Sequence, residues 1–122
     1  MKHRNLPLDE WHPFFRDYSR IHGGALVTVN VGSAGDGYRD EVVDQPFRGI
    51  SRDGDEIFVH IGGRPGKRAH LERRMQRVDA VDVLQTEEGA DAGLDIASMD
   101  GTRTAIRFRS PILPELLDPA VE

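Results

Sequence analysis

Residues 8–31 read LDEWHPFFRDYSRIHGGALVTVNV, and the fold turns on the change of period inside this stretch. Before the two glycines, Trp11, Phe14, Phe15 and Tyr18 recur at i, i+3, i+4 and i+7. That is one apolar stripe on a 3.6-residue period, and it predicts a helix over 8–22. Asp9 suits the N-cap, where a carboxylate accepts from first-turn N–H groups and favours the positive end of the dipole. Pro13 falls in the first turn or just past it, where a missing N–H costs little. Gly23 and Gly24 supply the stop. After them Ala25, Val27, Val29 and Val31 alternate with Leu26, Thr28 and Asn30, the period of two that marks a strand. A helix with four aromatics on one side needs cover, and the sheet that begins at Ala25 is the nearest element to provide it.

Working outward, Gly32 to Gly37 is a glycine-rich loop and Arg39–Val43 a short strand. Phe47–Arg52 and Glu56–Ile61 flank Asp53-Gly54, a strong two-residue hairpin signal. Ile57, Val59 and Ile61 then face the core, leaving Phe58 and His60 on the other side. Gly62-Gly63-Arg64-Pro65-Gly66 breaks the sheet, and residues 69–77 form either a short helical turn or an irregular basic loop. A strand over 79–86 follows. Leu94–Met99 and Thr102–Arg109 flank a second Asp-Gly turn, with Thr104, Ile106 and Phe108 inward and Arg103, Arg107 and Arg109 outward. Pro111 ends the sheet, since proline cannot continue a ladder, and Ile112, Leu113, Leu116 and Leu117 pack the tail back on the body.

The expected class is α+β, mostly β: an N-terminal amphipathic helix on a small five- or six-stranded antiparallel curled sheet, or on an Sm-like or SH3-like barrel. A parallel sheet is disfavoured, because no crossover helix lies between successive strands. The 122 residues suit one domain. Its ordered core is expected over about 7–117, with the helix at 8–22, β-structure at 25–109 and a tail at 110–122. Residues 1–6 lack periodicity and are expected to fray.

Glu10-Trp11-x-x-Phe14-Phe15, Phe47-x-Gly49-Ile50 and Ile57-x-Val59 are followed by Asp100-Gly101 ahead of Ile106-x-Phe108, with Pro111 closing the sheet. Together they resemble a family of short bacterial proteins known only as a domain of unknown function. The resemblance spans roughly residues 6–114, and its motifs are structural. It implies the helix-then-sheet order and no catalytic residue.

The chain has no cysteine, which excludes disulfides, Cys-based zinc sites and thiol nucleophiles. No stretch approaches the roughly 18–20 apolar residues of a membrane span. No apolar run of signal-peptide length follows the basic start, so a cytoplasmic protein is expected, with no membrane partner. The net charge of −5 argues against nucleic acid as the main partner, but it hides an asymmetry. Over 64–77, Arg64, Lys67, Arg68, Arg73, Arg74 and Arg77 stand against Glu72 alone, a net +5. From Asp79 to Asp100 there are seven carboxylates and no Lys or Arg, a net −7.

Other chemistry is weaker. Gly62 to Arg68 has three residues rather than four between its glycines, a proline, and Arg68 in place of a Mg²⁺-binding hydroxyl, so it is no P-loop. His60 and His70 with Glu56, Glu72 or Asp79 would make a metal site only if three ligands converged. His3, His12 and His22 read as terminal or helix-surface residues. No serine lies in a G-x-S-x-G elbow. No cofactor is implied.

The expectation is therefore a non-enzymatic binding module. It would associate with itself or with a protein partner through the basic segment, an acidic surface such as 79–100 of a second copy being one complement. A barrel binding RNA or DNA through the same arginines is one alternative, and an enzyme or metal-binding protein using His60 and His70 is another.

Overall fold

A computed structural model describes residues 1–33, 35–63 and 71–112. The fold is α+β and mostly β, with one α-helix and eight antiparallel strands in a single open sheet among the described residues. In chain order these are β1 (Lys2–Asn5), a 3₁₀ turn (Leu8–Glu10), α1 (Trp11–His22), β2 (Leu26–Ser33), β3 (Gly37–Asp53), β4 (Glu56–Ile61), β5 (Leu71–Met75), β6 (Val78–Gln85), β7 (Asp91–Ser98) and β8 (Thr102–Ile112). The spatial order is β1-β6-β7-β8-β2-β3-β4-β5.

The sequence expectation of five or six strands, with closure into a barrel as one option, is corrected here. The described residues form eight, and β1 and β5 end the order without pairing to each other. The two extra strands come from segments without a clean apolar period. Residues 2–5, expected to fray, pair with β6 in the register Lys2↔Gln85 to Asn5↔Asp82. Behind them Leu6 is buried, and its N–H donates to Val81 O at 2.8 Å. Residues 71–75, expected as a turn or loop, pair with β4 from Ile61↔Leu71 to Ile57↔Met75. The edge of β4 needs a partner for its backbone groups, and that need overrides the weak local signal.

Three other expectations are adjusted. The loop at 32–37 shrinks to a tight hairpin, because β2 and β3 pair out to Ser33↔Gly37. The strands at 39–43 and 47–52 are one long β3, bent at bulges near Asp44, whose φ is +50°. Its first half pairs with β2 and its second with β4. Proline does not stop β8, which runs to Ile112. Pro111 sits in an irregular stretch between the pairs Gly93↔Arg107 and Asp91↔Ile112, where a missing N–H breaks no regular ladder bond. Residues 113–117, expected to pack the tail back, lie outside the described residues.

The helix forms as its period demands. Trp11, Phe15 and Tyr18 are buried, with Phe14 packed at the margin. Asp9 falls in the 3₁₀ turn, and Glu10 stands at the N-cap without a side-chain cap bond. The stripe packs on Val27, Val29, Phe47, Ile50, Val59, Ile106 and Phe108 in one core. Ser19 pins the helix to β3: its Oγ donates to Ile50 O at 3.0 Å and accepts from Ile50 N at 2.8 Å. Ile57, Val59 and Ile61 face inward, as do Thr104, Ile106 and Phe108. Both Asp-Gly turns form, with Gly54 at φ +63° and Gly101 at +92°, the left-handed region that tight hairpins require. No helix among the described residues is long and apolar enough to cross a membrane.

Candidate functional site

Of the six cations singled out in the sequence, Arg64, Lys67 and Arg68 lie outside the described residues, as does His70. Arg73, Arg74 and Arg77 are placed on and just after β5. Along this strand Leu71, Arg73 and Met75 share one face and Glu72 and Arg74 the other. Met75 is buried, so Arg73 extends on the inner side beside the core.

Arg73 reaches Glu41 on the first half of β3, N–O 3.1 Å, and so ties β5 across to that strand. Its Nε–H is out of solvent and has no acceptor among the described residues. On the other face Arg74 pairs with Glu56, which also accepts from Gln76 Nε2 at 3.5 Å. Arg77 takes φ +50° where the chain turns from β5 into β6, and its carbonyl accepts from Met99 N at 2.9 Å. That contact brings the end of β5 against the β7–β8 turn.

Between them lies a polar cleft of about 210 Å³, with Arg73, Arg74 and Gln76 on one wall and Ser98, Asp100 and Thr102 on the other. Backbone and side-chain hydrogen bonds from Thr102 hold the exposed Asp100 carboxyl below the usual carboxylate range, with Arg77 adding to the effect. A second opening of about 370 Å³ continues past Arg74 and Arg77 to Asp55 and Glu56.

Within the chain, the ion pairs of Arg73 and Arg74 are therefore made with β3 and β4, not with 79–100. That acidic run belongs to two inner strands and the turns around them, and several of its members are engaged. Asp82 accepts from Asn5 at 3.2 Å, Asp95 pairs with Arg107 at 3.1 Å, and Glu87 meets the N-terminal amine at 3.1 Å.

His60 lies on the face of β4 away from the core, as expected, with Nδ1 3.4 Å from Glu72. Among the described residues no group of three or more His, Asp or Glu side chains could hold a metal ion.

One cluster was missed in the sequence. His22, expected on the helix surface, is 3% exposed. It continues the stripe four residues after Tyr18, a spacing visible in the sequence. Its ring lies between Tyr18 (4.5 Å) and Phe108 (4.6 Å), and Nε2–H donates to Asp91 Oδ2 at 2.9 Å. Gln85 Nε2 donates to the other oxygen at 3.2 Å. Burial works against the Asp91 charge, but the bonds from His22 and Gln85 outweigh it and hold the carboxyl below its ordinary range. Burial, with the nearby Asp91 charge, pushes the Tyr18 phenol well above its ordinary value, and its hydroxyl has no partner among the described residues. None of the described openings is lined by these side chains, so they read as a core tether.

No curated protein and no solved structure matches the chain. A family model does, over residues 2–116, which takes in β1, the helix and every other strand described above. The chain belongs to that family, a family of unknown function (DUF5335).

Proposed function

We propose that the protein is a non-enzymatic interaction module whose basic edge strand, β5, takes an extended acidic segment of a protein partner. The observation that carries this reading is the end position of β5 in the strand order. One edge of β5 pairs with β4, and the other, unpaired among the described residues, offers backbone N–H and C=O groups to an added strand. The cleft toward Ser98 and Thr102 runs beside that edge, and Arg73, Arg74 and Arg77 line it or its continuation. Arg64, Lys67 and Arg68 precede β5 in the sequence.

The ion pair of Arg74 does not oppose this, whereas Arg73 stays with Glu41 and holds β5 in place. Arg74 is half-exposed, and an exposed ion pair contributes only about 0–1 kcal/mol, so partner carboxylates can replace Glu56 at little cost. A second copy supplying 79–100 is the poorer fit, since Asp82, Asp91 and Asp95 already have partners.

The test uses two probes, an alternating Val-Glu peptide and an alternating Val-Lys peptide, titrated against the full chain. The acidic probe alone should bind, more weakly as salt rises, and reversing the two exposed cations, Arg74→Glu with Arg77→Glu, should abolish binding while leaving the circular dichroism spectrum of the fold unchanged. Equal binding of both probes, or of neither, contradicts the proposal. Sedimentation of the protein alone separates the self-association reading: a salt-sensitive dimer lost in the same double variant would replace the partner with a second copy.

A further inference from the structure

We propose that the opposite face of the sheet carries a second, independent site, a shallow recess that binds a small planar anion. Pairing registers build it. In one cross-strand row Arg103 on β8 lies opposite Gly32 on β2, which lies opposite Tyr38 on β3. In the next row Asp95, Ala105 and Asn30 are neighbours on β7, β8 and β2. These residues alternate with Thr104 and Ile106, which are buried in the core, so they stand on the outer side. Asn30, Tyr38, Asp95, Arg103 and Ala105, together with Arg107, line about 270 Å³. That is just below the range of drug-sized pockets, which suits a ligand of one ring system.

Each wall has a distinct chemistry. A Cβ on Gly32 would come within 2.3 Å of the Tyr38 ring, so the absent side chain is what lets the ring lie over β2. The ring is still 55% exposed, an aromatic surface held in place and uncovered. Ala105 gives a low floor. Arg107 is committed: it pairs with Asp95 at 3.1 Å and donates to the Leu94 and Ile106 carbonyls at 3.3 Å. Arg103, by contrast, is exposed and has no carboxylate partner among the described residues. An aromatic surface and an uncommitted guanidinium on either side of Gly32 match a planar ring bearing an anionic group: the ring packs on Tyr38, and Arg103 takes the anion through its donor fork. A nucleoside monophosphate and an aromatic carboxylate share this chemistry. The site uses none of the β5 arginines, so it stands or falls apart from the partner-strand proposal.

Amide NMR spectra of the full chain, titrated in separate arms with AMP, 4-hydroxybenzoate and inorganic phosphate, test it. Saturable shifts at Asn30, Gly32, Tyr38, Arg103 and Ala105 are expected with AMP or with 4-hydroxybenzoate, and the arm that saturates identifies the anion as phosphate or carboxylate. Arg103→Gln should weaken that binding about tenfold, the loss expected for one charge-assisted hydrogen bond. Tyr38→Ala should weaken it similarly and Tyr38→Phe should not. No saturable shift with either ring-bearing probe overturns the proposal. So does an equal response to phosphate alone, or wild-type affinity in Arg103→Gln.

Discussion

At the scale of single residues, the contact between His22 and Asp91 joins the end of α1 to the start of β7 across 69 positions of sequence. Removing its charge should cost stability. Asp91→Asn keeps the shape but loses the charge-assisted bond, and a destabilisation of about 1–3 kcal/mol in urea unfolding at neutral pH is expected. The pH dependence has a definite sign. The carboxyl is held below its ordinary value in the fold, so its contribution is complete above the unfolded value of about 4 and is lost as pH falls through the lower folded value. Below pH 4 the wild type should therefore lose stability more steeply than Asp91→Asn. Parallel acid limbs for the two proteins would show that the contact carries no linkage. Ser19 offers a second measurement of the same kind. Ser19→Ala removes both bonds to Ile50 and leaves a backbone N–H and a carbonyl of β3 without their partner, a loss of about 1–3 kcal/mol in denaturant unfolding.

Elements differ in how plainly the sequence announces them. The helix and the Asp-Gly hairpins are legible because each carries its own period and its own turn residues, within a few positions. β1 is not, because Lys2, His3, Arg4 and Asn5 are all exposed and are strand only through β6, some 80 residues away. β5 is hidden differently: its inward set is Leu71, Arg73 and Met75, and an arginine in the middle erases the alternation. β3 reads as two strands because the bulges near Asp44 interrupt its pattern. The β2–β3 hairpin supplies a test at this scale. A methyl group at Gly32 meets both the Tyr38 ring and the Gly37 carbonyl at 2.3 Å. Gly32→Ala should then destabilise by about 1–3 kcal/mol through overpacking. Amide exchange should quicken along 26–33 and 37–46 first, and uniform quickening across the sheet would point to a global effect instead.

Across the whole molecule, charge is arranged by position in the sheet. The chain is acidic overall, yet both ends of the strand order are basic: Lys2, His3 and Arg4 on β1, Arg73 and Arg74 on β5. Edges of like charge disfavour edge-to-edge joining of copies; among the described residues only β5 also borders a polar cleft lined by its own arginines. The sequence showed the cations of 64–77 but not that Arg73 and Arg74 stand on an end strand, because an edge is defined by which strand is missing from the pairing order. It also could not show that Glu41 and Glu56 would be the arginines' partners, since those contacts close only when β3, β4 and β5 lie together. The most direct measurement of the central claim is amide hydrogen exchange of the full chain with and without the alternating Val-Glu peptide. Slowed exchange concentrated at 71–75, with β1 and the outer face unchanged, is the predicted result. Protection at 2–5 instead, or no protection at β5 when the peptide is bound, would contradict it.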